Sequence, residues 1–496
     1  MLKNNPSPPR RQEAGAAVID SALKKMAWIL LLGTLAPLLD TTITNVAIDT
    51  LGQALGAGVS TIQWVMTSYL LALGMVIPVT GWAMQRFSGK KTWIFALSLF
   101  LTGSVLCSLS WNAGSLIVFR AVQGVGAGLM LPVMQTMLVR AAGGQSLGKL
   151  MALVGLPALL GPILGPVLGG LVVDKLDWRW IFYINIPICA AAILWAWRGL
   201  PKERESAQGS ERLDTKGMLM LSPSVVLIIY GLAQVGTLHG FNHTGVWAPL
   251  VLGLLLLILF ILYASRNGEK ALLDIRLFQA PAFSFSSVIF FLSGLSTYGA
   301  MLLLPMYYQQ VRGESPLTAG LLMAPQGIGM LLTRSLAGKL TDRIGPRPVV
   351  LAGTALTALG TLPLALAGSS TSYIWLTAAL IVRGAGLGGV FLPVMAASFQ
   401  GLRPGQIPHA SSATRIIQQV GGAFGASVLA VILENRLTGA ASMSAAARVD
   451  AFQYTFWWSL GFTVIGLIPA ALLPAIKRGG EQNGDNEMQS VYNNDI

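Results

Sequence analysis

The sequence predicts an all-α integral membrane protein with fourteen transmembrane helices, arranged as two six-helix halves plus two extra central helices. Three observations predict this fold. The chain is 54% hydrophobic and 11% charged, whereas soluble domains carry about 25% charged residues. Apolar runs long enough to cross a bilayer recur along the whole chain. Polar motifs in the first half are repeated in the second half at a nearly constant interval.

Runs of about 18–25 apolar residues between short charged or Gly/Pro-rich segments are typical of membrane-spanning helices. The predicted spans are 27–48, 60–81, 92–110, 113–137, 149–173, 181–199, 216–236, 246–264, 283–309, 316–337, 348–368, 371–397, 411–434 and 453–476. They divide the chain into an N-terminal tail (1–26), a first half (27–200), a linker with two inserted spans (201–282), a second half (283–476) and a C-terminal tail (477–496).

The distribution of Lys and Arg predicts the orientation of the chain. With the N-terminus in the cytoplasm, most of the 33 Lys and Arg residues fall on the cytoplasmic side. The exceptions in outer segments are Lys175, Arg179, Arg312, Arg436 and Arg448. This positive-inside bias predicts a multi-pass protein of the inner membrane with both termini cytoplasmic. The net charge of +13 then indicates topology and affinity for anionic lipids rather than binding of nucleic acid.

Asp40 is the most informative polar residue because it lies inside the first predicted span. A carboxylate at the centre of a bilayer costs roughly 2.5–3.5 kcal/mol on insertion scales, and it needs a partner or a wet cavity. Thr44 follows four residues later and shares its helix face. A titratable acid at this depth is what a proton-coupled transporter needs. The alternatives are a helix cap or a misplaced span.

Arg120 lies seven residues into the fourth span, and Gln123 and Gly124 share its helix face. A guanidinium group in that position needs partners. Arg383 stands in the matching place of the second half, but Gly386 replaces the glutamine. Each arginine either has a functional role or holds backbone carbonyls of a neighbouring helix.

Two internal repeats connect the halves. Segment 81–91, after the second span, aligns with segment 338–347, after the tenth span, at an offset of 257 residues. Arg120 and Arg383 repeat at an offset of 263. Nearly equal offsets predict a duplicated six-helix unit with spans seven and eight inserted between the copies. Such repeats are the architecture of secondary transporters, whose binding site lies between the halves.

These motifs resemble the major facilitator superfamily, specifically its fourteen-span branch of drug:proton antiporters, the multidrug and quaternary-ammonium exporters. The resemblance extends from Trp28 to about Ile476. Each motif alone is weak, but they occur in the expected order. They are Leu39–Ala47, segment 81–91, Arg120 with Gln123-Gly124, segment 161–170, Trp178–Pro187, Leu273–Phe278 and Leu304–Gly320.

The resemblance implies proton-coupling roles for Asp40 and Arg120. It also implies that segments 81–91 and 338–347, here called the gating segments, latch the two halves. Their matching residues are Gly81, Gln85, Arg86, Gly338, Asp342 and Arg343. The first gating segment departs from the family, since Gln85 replaces an Asp and Ser88 replaces a Gly. A latch that depends on charge is therefore expected to be weaker in the first half.

Small residues recur every four positions in the fifth span, which lets a neighbouring helix approach closely. The family resemblance identifies this stripe as the antiporter motif, which seals one access state. Its residues are Gly161, Pro162, Gly165, Pro166, Gly169 and Gly170. A purely structural packing role is the alternative.

Aromatic and acidic side chains in the spans are candidates for binding flat cations. The candidate substrate-binding residues are Asp40, Thr44, Trp64, Tyr69, Gln123, Tyr307 and Glu434. The alternative for the aromatic residues is a membrane belt or helix packing. The alternative for Glu434 is a position among the lipid headgroups.

Nothing in the sequence indicates an enzyme, a nucleotide-driven pump, a metal site or a cofactor. The predicted function is a proton-driven exporter of amphipathic, cationic drugs or toxic compounds. Its predicted partners are protons, a small-molecule substrate and the lipid bilayer, without nucleic acid. It is expected to function as a monomer, and a periplasmic adaptor is left open. The alternatives are an exporter of one specific metabolite or natural product and a non-transporting sensor or assembly partner.

Overall fold

The computed structural model describes residues 21–57, 59–142, 176–201, 213–238, 240, 242–268, 271–403, 405–437 and 444–474. Within these ranges the regular structure is helical. The helices are α1 (Ser21–Val46), α2 (Ile48–Leu55), α3 (Val59–Val76), α4 (Thr80–Phe87), α5 (Gly89–Ser108), α6 (Ala113–Ala142), α7 (Trp180–Tyr183), α8 (Asn185–Gly199), α9 (Thr215–Thr237), α10 (Thr244–Asn267), α11 (Pro281–Gln310), α12 (Pro316–Leu322), α13 (Ala324–Ile344), α14 (Pro346–Ala365), α15 (Tyr373–Ser398), α16 (Ile407–Leu437), α17 (Ala445–Ile465) and α18 (Leu467–Leu472).

Twelve helical segments of the described chain are long and apolar enough to cross a membrane. They coincide with twelve predicted spans, including both inserted spans, so the predicted all-α membrane fold is confirmed. The fifth predicted span, 149–173, lies outside the described residues. The tenth is helical as α13, but this helix carries four charged residues and falls outside the apolar set. The arrangement is compatible with fourteen spans.

The gating segments begin as helices, although the sequence places them after the second and tenth predicted spans. α4 contains Gly81 and Gln85, and the chain turns only at Ser88. α13 likewise runs through Gly338 and turns at Gly345. Each turn needs a backbone with positive φ, which ends the helix at that residue. Arg86, Asp342 and Arg343 therefore lie on the last turn of a helix, whereas Lys90, Lys91 and Arg347 lie in the first turn of the next one.

Ser88 adopts a conformation that normally requires glycine. Its φ and ψ are 70° and 157°, while Gly345, its counterpart in the repeat, has 88° and 166°. This region costs a residue with a Cβ of order 1–3 kcal/mol. We expect Ser88→Gly to raise the free energy of unfolding by about 1 kcal/mol once the greater freedom of unfolded glycine is subtracted. Thermal unfolding in detergent would measure it, with Gly345→Ser as the reverse substitution. An unchanged midpoint for Ser88→Gly would show that the serine is not strained.

Matching contacts build the two halves. In the first half, α6 packs against α5 and α3, and in the second half, α15 packs against α14 and α13. Gly126 of α6 lies against Phe100, and Gly389 of α15 lies against Gly353. In both places a Cβ would come unusually close to the neighbouring backbone. The predicted duplicated unit therefore packs in the same way twice.

The inserted helices connect both halves. α9 packs against α10, against α3 of the first half and against α16 of the second half, whereas most of α10 is exposed, as expected of a helix facing lipid. Asp214 holds the base of this insert. Its carboxylate accepts hydrogen bonds from the backbone N–H of Gly217 and Leu272, both at 2.9 Å, and from the Tyr263 hydroxyl at 2.7 Å.

Candidate functional site

Asp40 and Arg120 come from antiparallel helices and meet at the same level. Asp40 lies six residues before the end of α1, and Arg120 lies seven residues after the start of α6. The gating segments lie at the opposite ends of these spans, here called the gate end. The site therefore lies nearer to the ends of these two helices that point away from the gate. Both side chains are fully buried.

The Asp40 carboxylate accepts hydrogen bonds from three side chains. Arg120 Nη1 donates to Oδ2 at 2.5 Å, and the pair forms an ion pair. Gln123 Nε2 donates to Oδ1 at 3.0 Å, and Asn185 Nδ2 donates to the same oxygen at 2.9 Å. Three donors satisfy a buried carboxylate in its ionised form.

Arg120 is held on several sides at once. Its Nη1 also donates to Gln123 Oε1 at 2.7 Å, and its Nε donates to the backbone carbonyl of Val65 at 3.4 Å. Its guanidinium lies over the Tyr69 ring, with Cζ 4.4 Å from the centroid. These contacts use the planar, multi-donor shape of the guanidinium. Tyr69, a predicted substrate-binding residue, therefore lies inside the network.

Two residues of the network had no role in the sequence-based prediction. Asn185 begins α8, and Ser104 lies on α5. Ser104 Oγ accepts a hydrogen bond from Gln123 Nε2 at 2.7 Å. The signal for Asn185 was available, because it is a polar residue inside the Trp178–Pro187 motif. Nothing in the sequence distinguished Ser104 from the other hydroxyl residues of apolar spans.

Glycines allow the helices of the network to approach. A Cβ at Gly103 of α5 would lie 2.6 Å from Cα of Gln123, closer than side chains tolerate. A Cβ at Gly124 would overlap the Tyr69 carbonyl. The helices α3, α5 and α6 therefore meet backbone to backbone around the buried charges.

The other predicted substrate-binding residues lie apart from the carboxylate. Thr44 is buried, but its hydroxyl donates to the Asp40 backbone carbonyl at 2.7 Å rather than to the carboxylate. Trp64 is 41% exposed, and its ring lies 5.9 Å from that of Tyr230 on α9. These contacts place Trp64 against the insert, and its predicted role in substrate binding stays a prediction.

Tyr307 and Glu434 belong to the second half. The Tyr307 hydroxyl donates to the Gly368 carbonyl at 2.8 Å, and its ring packs on Phe452 and Phe456. Glu434 lies three residues before the end of α16. The structure does not bring either residue to Asp40, and their roles as substrate contacts stay predictions.

The halves contact each other at the gate end. α16 of the second half packs against α4 and α6 of the first half. Thr136 Oγ1 of α6 donates to Ser411 Oγ of α16 at 3.1 Å. Since both residues are buried, this end of the path between the halves is closed.

Gln85 takes part in this closure through a histidine that the sequence-based prediction overlooked. Gln85 Nε2 lies 3.2 Å from His409 Nε2 and donates to the Gly405 carbonyl at 3.4 Å. His409 Nδ1 lies 3.1 Å from the Leu272 carbonyl, on the connection that follows the insert. A Cβ at Gly81 would lie 3.6 Å from the same ring. The first gating segment therefore contacts the second half through His409.

The second gating segment ends at the surface of the protein. Gly338 is buried in α13, whereas Asp342 and Arg343 are exposed near its end, as is Arg86 in the first copy. The antiporter-motif residues 161–170 lie outside the described residues, so their predicted role stays a prediction. In the part of the chain that is described, no three His, Cys, Asp or Glu residues are grouped to hold a metal.

We expect the two gating segments to respond oppositely to changes of charge. Gln85→Asp should favour closure of the gate end, because a carboxylate facing His409 makes a stronger, charge-assisted contact than the neutral amide does. Asp342→Asn should favour opening by removing a charge from the second latch. Distances between spin labels on α4 and α16 would measure both. If both substitutions move the distance distribution in the same direction, or neither moves it, the latch interpretation fails.

The sequence matches a known protein family and is similar to proteins named for multidrug resistance. The family model described as Major Facilitator Superfamily matches residues 30–426. The chain is 35% identical over 433 residues to the multidrug resistance protein B homolog of Mycobacterium tuberculosis, covering 87% of this chain and 80% of that protein. It is 28% identical to the putative multidrug resistance protein MdtD of Escherichia coli O157:H7, covering 92% and 95% of the two chains.

A solved structure supports the fold independently of sequence. The crystal structure of a double-tryptophan mutant of XylE superimposes with a TM-score of 0.63 at 14% identity, covering 93% of this chain and 98% of that chain. At this identity the similarity concerns the fold alone.

Proposed function

We propose that this chain, which belongs to the major facilitator superfamily, is a proton-coupled antiporter that exports amphipathic compounds across the inner membrane by alternating access. Its similarity to proteins named for multidrug resistance supports a role in drug export. The observation that carries proton coupling is the buried contact between Asp40 and Arg120.

The network around Asp40 can adopt two states, one with Asp40 ionised and one with Asp40 protonated. Ionised Asp40 holds Arg120, Gln123 and Asn185 through its two oxygens. Protonation removes the negative charge and turns one acceptor oxygen into a donor. Arg120 then keeps its contacts with Gln123 Oε1, the Val65 carbonyl and the Tyr69 ring, but loses its counter-ion. A buried guanidinium without a counter-ion raises the free energy of this conformation. Movement of α1 relative to α6 can lower it again, which couples protonation to conformation.

The contacts between the halves support alternating access. The gate end is closed by α16 against α4 and α6, and Asp40 lies towards the other end. The positive-inside bias assigns the gate end to the cytoplasm. In this orientation the described conformation is closed to the cytoplasm, and a proton reaches Asp40 from the outer side. Opening the gate end would then release the proton inside and admit substrate.

The charge that the substrate carries is a separate question from proton coupling. The sequence-based prediction of cationic substrates depends mainly on Asp40. In the structure that carboxylate is already occupied by Arg120, so a cation would bind there only by competing with a guanidinium. The preference for cations therefore stays a prediction.

Two alternative functions predict different experimental results. Export of one specific metabolite would use the same proton step with a narrow substrate range. A non-transporting sensor was suggested by Gln85, but Gln85 contacts His409 across the halves and so has a place in a working gate.

The test uses purified protein in liposomes that enclose a pH-sensitive dye. A pH gradient is imposed, and amphipathic compounds of several classes are added one at a time. Antiport predicts that a substrate collapses the gradient in proportion to its uptake, and that protein-free liposomes do not respond. A gradient unaffected by any compound that binds the protein would favour the sensor.

A further inference from the structure

The second half contains a buried guanidinium without a carboxylate. Arg383 of α15 is fully buried. Its Nη1 donates to Gln326 Oε1 at 2.6 Å, and its Nη2 donates to the Ser296 carbonyl at 2.9 Å and lies 3.4 Å from Ser296 Oγ. Its Nε has no hydrogen-bond partner in the part of the chain that the structure describes. Among the described residues, all its partners are neutral.

Arg383 repeats the position of Arg120, and its contacts identify the counterpart of Asp40. Arg120 contacts Asp40 of α1, and Arg383 contacts Ser296 of α11, at an offset of 256 residues that agrees with the gating-segment repeat. The next position shows the same relation. Asn185 of α8 bonds Asp40 in the first half, and Thr463 of α17 bonds Ser296 at 3.2 Å in the second.

The second half therefore has smaller side chains where the first half has its polar network. Serine replaces the aspartate, threonine replaces the asparagine, and Gly386 stands at the repeat position of Gln123. A small crevice with a volume of about 30 Å³ lies in this region. Ser296 and Thr463 line it, together with hydroxyls of Ser293, Thr354 and Thr357. Ser296, which Arg383 contacts, therefore borders this crevice. Neither the lining of the crevice nor the described contacts of Arg383 include a carboxylate.

A buried cation without a counter-ion is costly, because neutral hydrogen bonds replace only part of the lost hydration. In the first half Asp40 removes this cost. In the second half an anion from outside the chain would remove it, and the Ser296 and Thr463 hydroxyls would add hydrogen bonds. The asymmetry between the halves is what a site for an anionic ligand requires.

The walls of the crevice define the rest of the ligand. Apolar side chains of α11, α15 and α17 line it alongside the hydroxyls, and they are Ile289, Leu292, Leu387, Val390 and Phe462. Ligand sites typically combine a mainly apolar wall with a few placed polar groups. This crevice has that composition, but its volume of about 30 Å³ holds only a small charged head such as a carboxylate, so the apolar segment of the ligand would extend out of it.

We infer that Arg383, with Ser296 and Thr463, forms a binding site for the carboxylate of an amphipathic substrate, which takes the place that Asp40 holds in the first half. The inference depends on the proposed export function only in calling the ligand a substrate. The site itself can be tested by binding alone. It gives the exporter a preference for amphiphiles that carry an acidic group.

The experiment measures equilibrium binding to the full chain in nanodiscs, without a proton gradient. The probe is 11-(dansylamino)undecanoate, compared with its neutral methyl ester and with a trimethylammonium analogue of the same tail. We expect the carboxylate to bind at least about tenfold more tightly than either analogue, the scale of one charge-assisted contact. Arg383→Gln should remove this preference. Arg415→Gln is the matched control, since it removes the same charge from α16 of the same half, where Arg415 bonds Gln418 outside the crevice.

Ser296→Asp keeps the test decisive if Arg383→Gln does not fold. The new carboxylate should pair with Arg383, raise the thermal unfolding midpoint and abolish binding of the carboxylate probe. Ser296→Asn is its neutral counterpart and should not stabilise. Equal binding of the three probes, or a loss of preference in Arg415→Gln but not in Arg383→Gln, would overturn the inference. Stabilisation by chloride or acetate alone, without binding of the amphiphile, would also overturn it.

These measurements are separable from the proposed function. Preferential carboxylate binding by the unsubstituted protein, together with absent transport in liposomes, would support the site and refute the proposed function. Transport of amphiphiles with no preference for the carboxylate would leave the exporter intact and remove the site.

Discussion

Asp40→Asn is expected to abolish substrate-driven proton movement in liposomes, while the protein still inserts and folds. The amide oxygen can accept the hydrogen bond that Arg120 donates at 2.5 Å, so the local geometry has a substitute acceptor. The amide cannot carry a proton or a charge, so the two-state element is lost. Because removing one partner of a buried ion pair typically costs about 3–5 kcal/mol, some loss of thermal stability accompanies the substitution.

The matched control for Asp40→Asn is Asp177→Asn. Asp177 is in the same half, but it is 54% exposed and pairs with Arg179 at 3.4 Å. Exposed pairs of this kind contribute little, so transport and stability should match the unsubstituted protein. Normal proton release by Asp40→Asn, measured with the same substrate and gradient, would refute a coupling role for Asp40.

Arg120→Lys is expected to reduce the transport rate by at least about tenfold, which corresponds to about 1.4 kcal/mol in the activation free energy. The charge is kept, but a lysine ammonium cannot contact Asp40, Gln123 and the Val65 carbonyl in the planar geometry of Arg120. It also loses the flat contact with Tyr69 at 4.4 Å. Initial rates of substrate uptake at matched protein amounts would measure the effect.

A conservative substitution elsewhere separates this expectation from general sensitivity to arginine loss. Arg198 lies in the last turn of α8, outside the buried network, so Arg198→Lys should transport normally. If Arg120→Lys also transports normally, the guanidinium geometry has no role beyond its charge, and the coupling scheme must be based on Asp40 alone.

The two halves carry the same fold but different electrostatics. The first half neutralises Arg120 internally, whereas the second half leaves Arg383 among neutral partners beside a crevice. Duplication conserves the helix packing because close contacts at Gly126 and Gly389 tolerate little change. Side chains inside each half can diverge more freely. This division would assign proton handling to one half and ligand charge to the other.

Much of the site was predictable because it uses rare residues. A carboxylate and a guanidinium inside apolar spans need partners, and the i, i+3 spacing of Arg120 and Gln123 places both on one helix face. Their meeting with Asp40 could be expected from the motifs. Asn185, Ser104 and His409 were not assigned, since uncharged polar residues are common in membrane helices and carry no cost that demands a specific partner.

From the sequence alone it follows that this is a membrane protein, where its spans lie, that its halves are related, and which charged residues lie inside the spans. These properties follow from hydropathy, spacing and the cost of burying charge, all of which are local to a segment. Which side chains meet depends on the tertiary structure. It placed Asn185 on Asp40, turned Thr44 to the backbone, set His409 against Gln85 and left Arg383 without a carboxylate. These outcomes depend on the depth and rotation of helices far apart in the chain, which are set by close packing between them and not by any single segment.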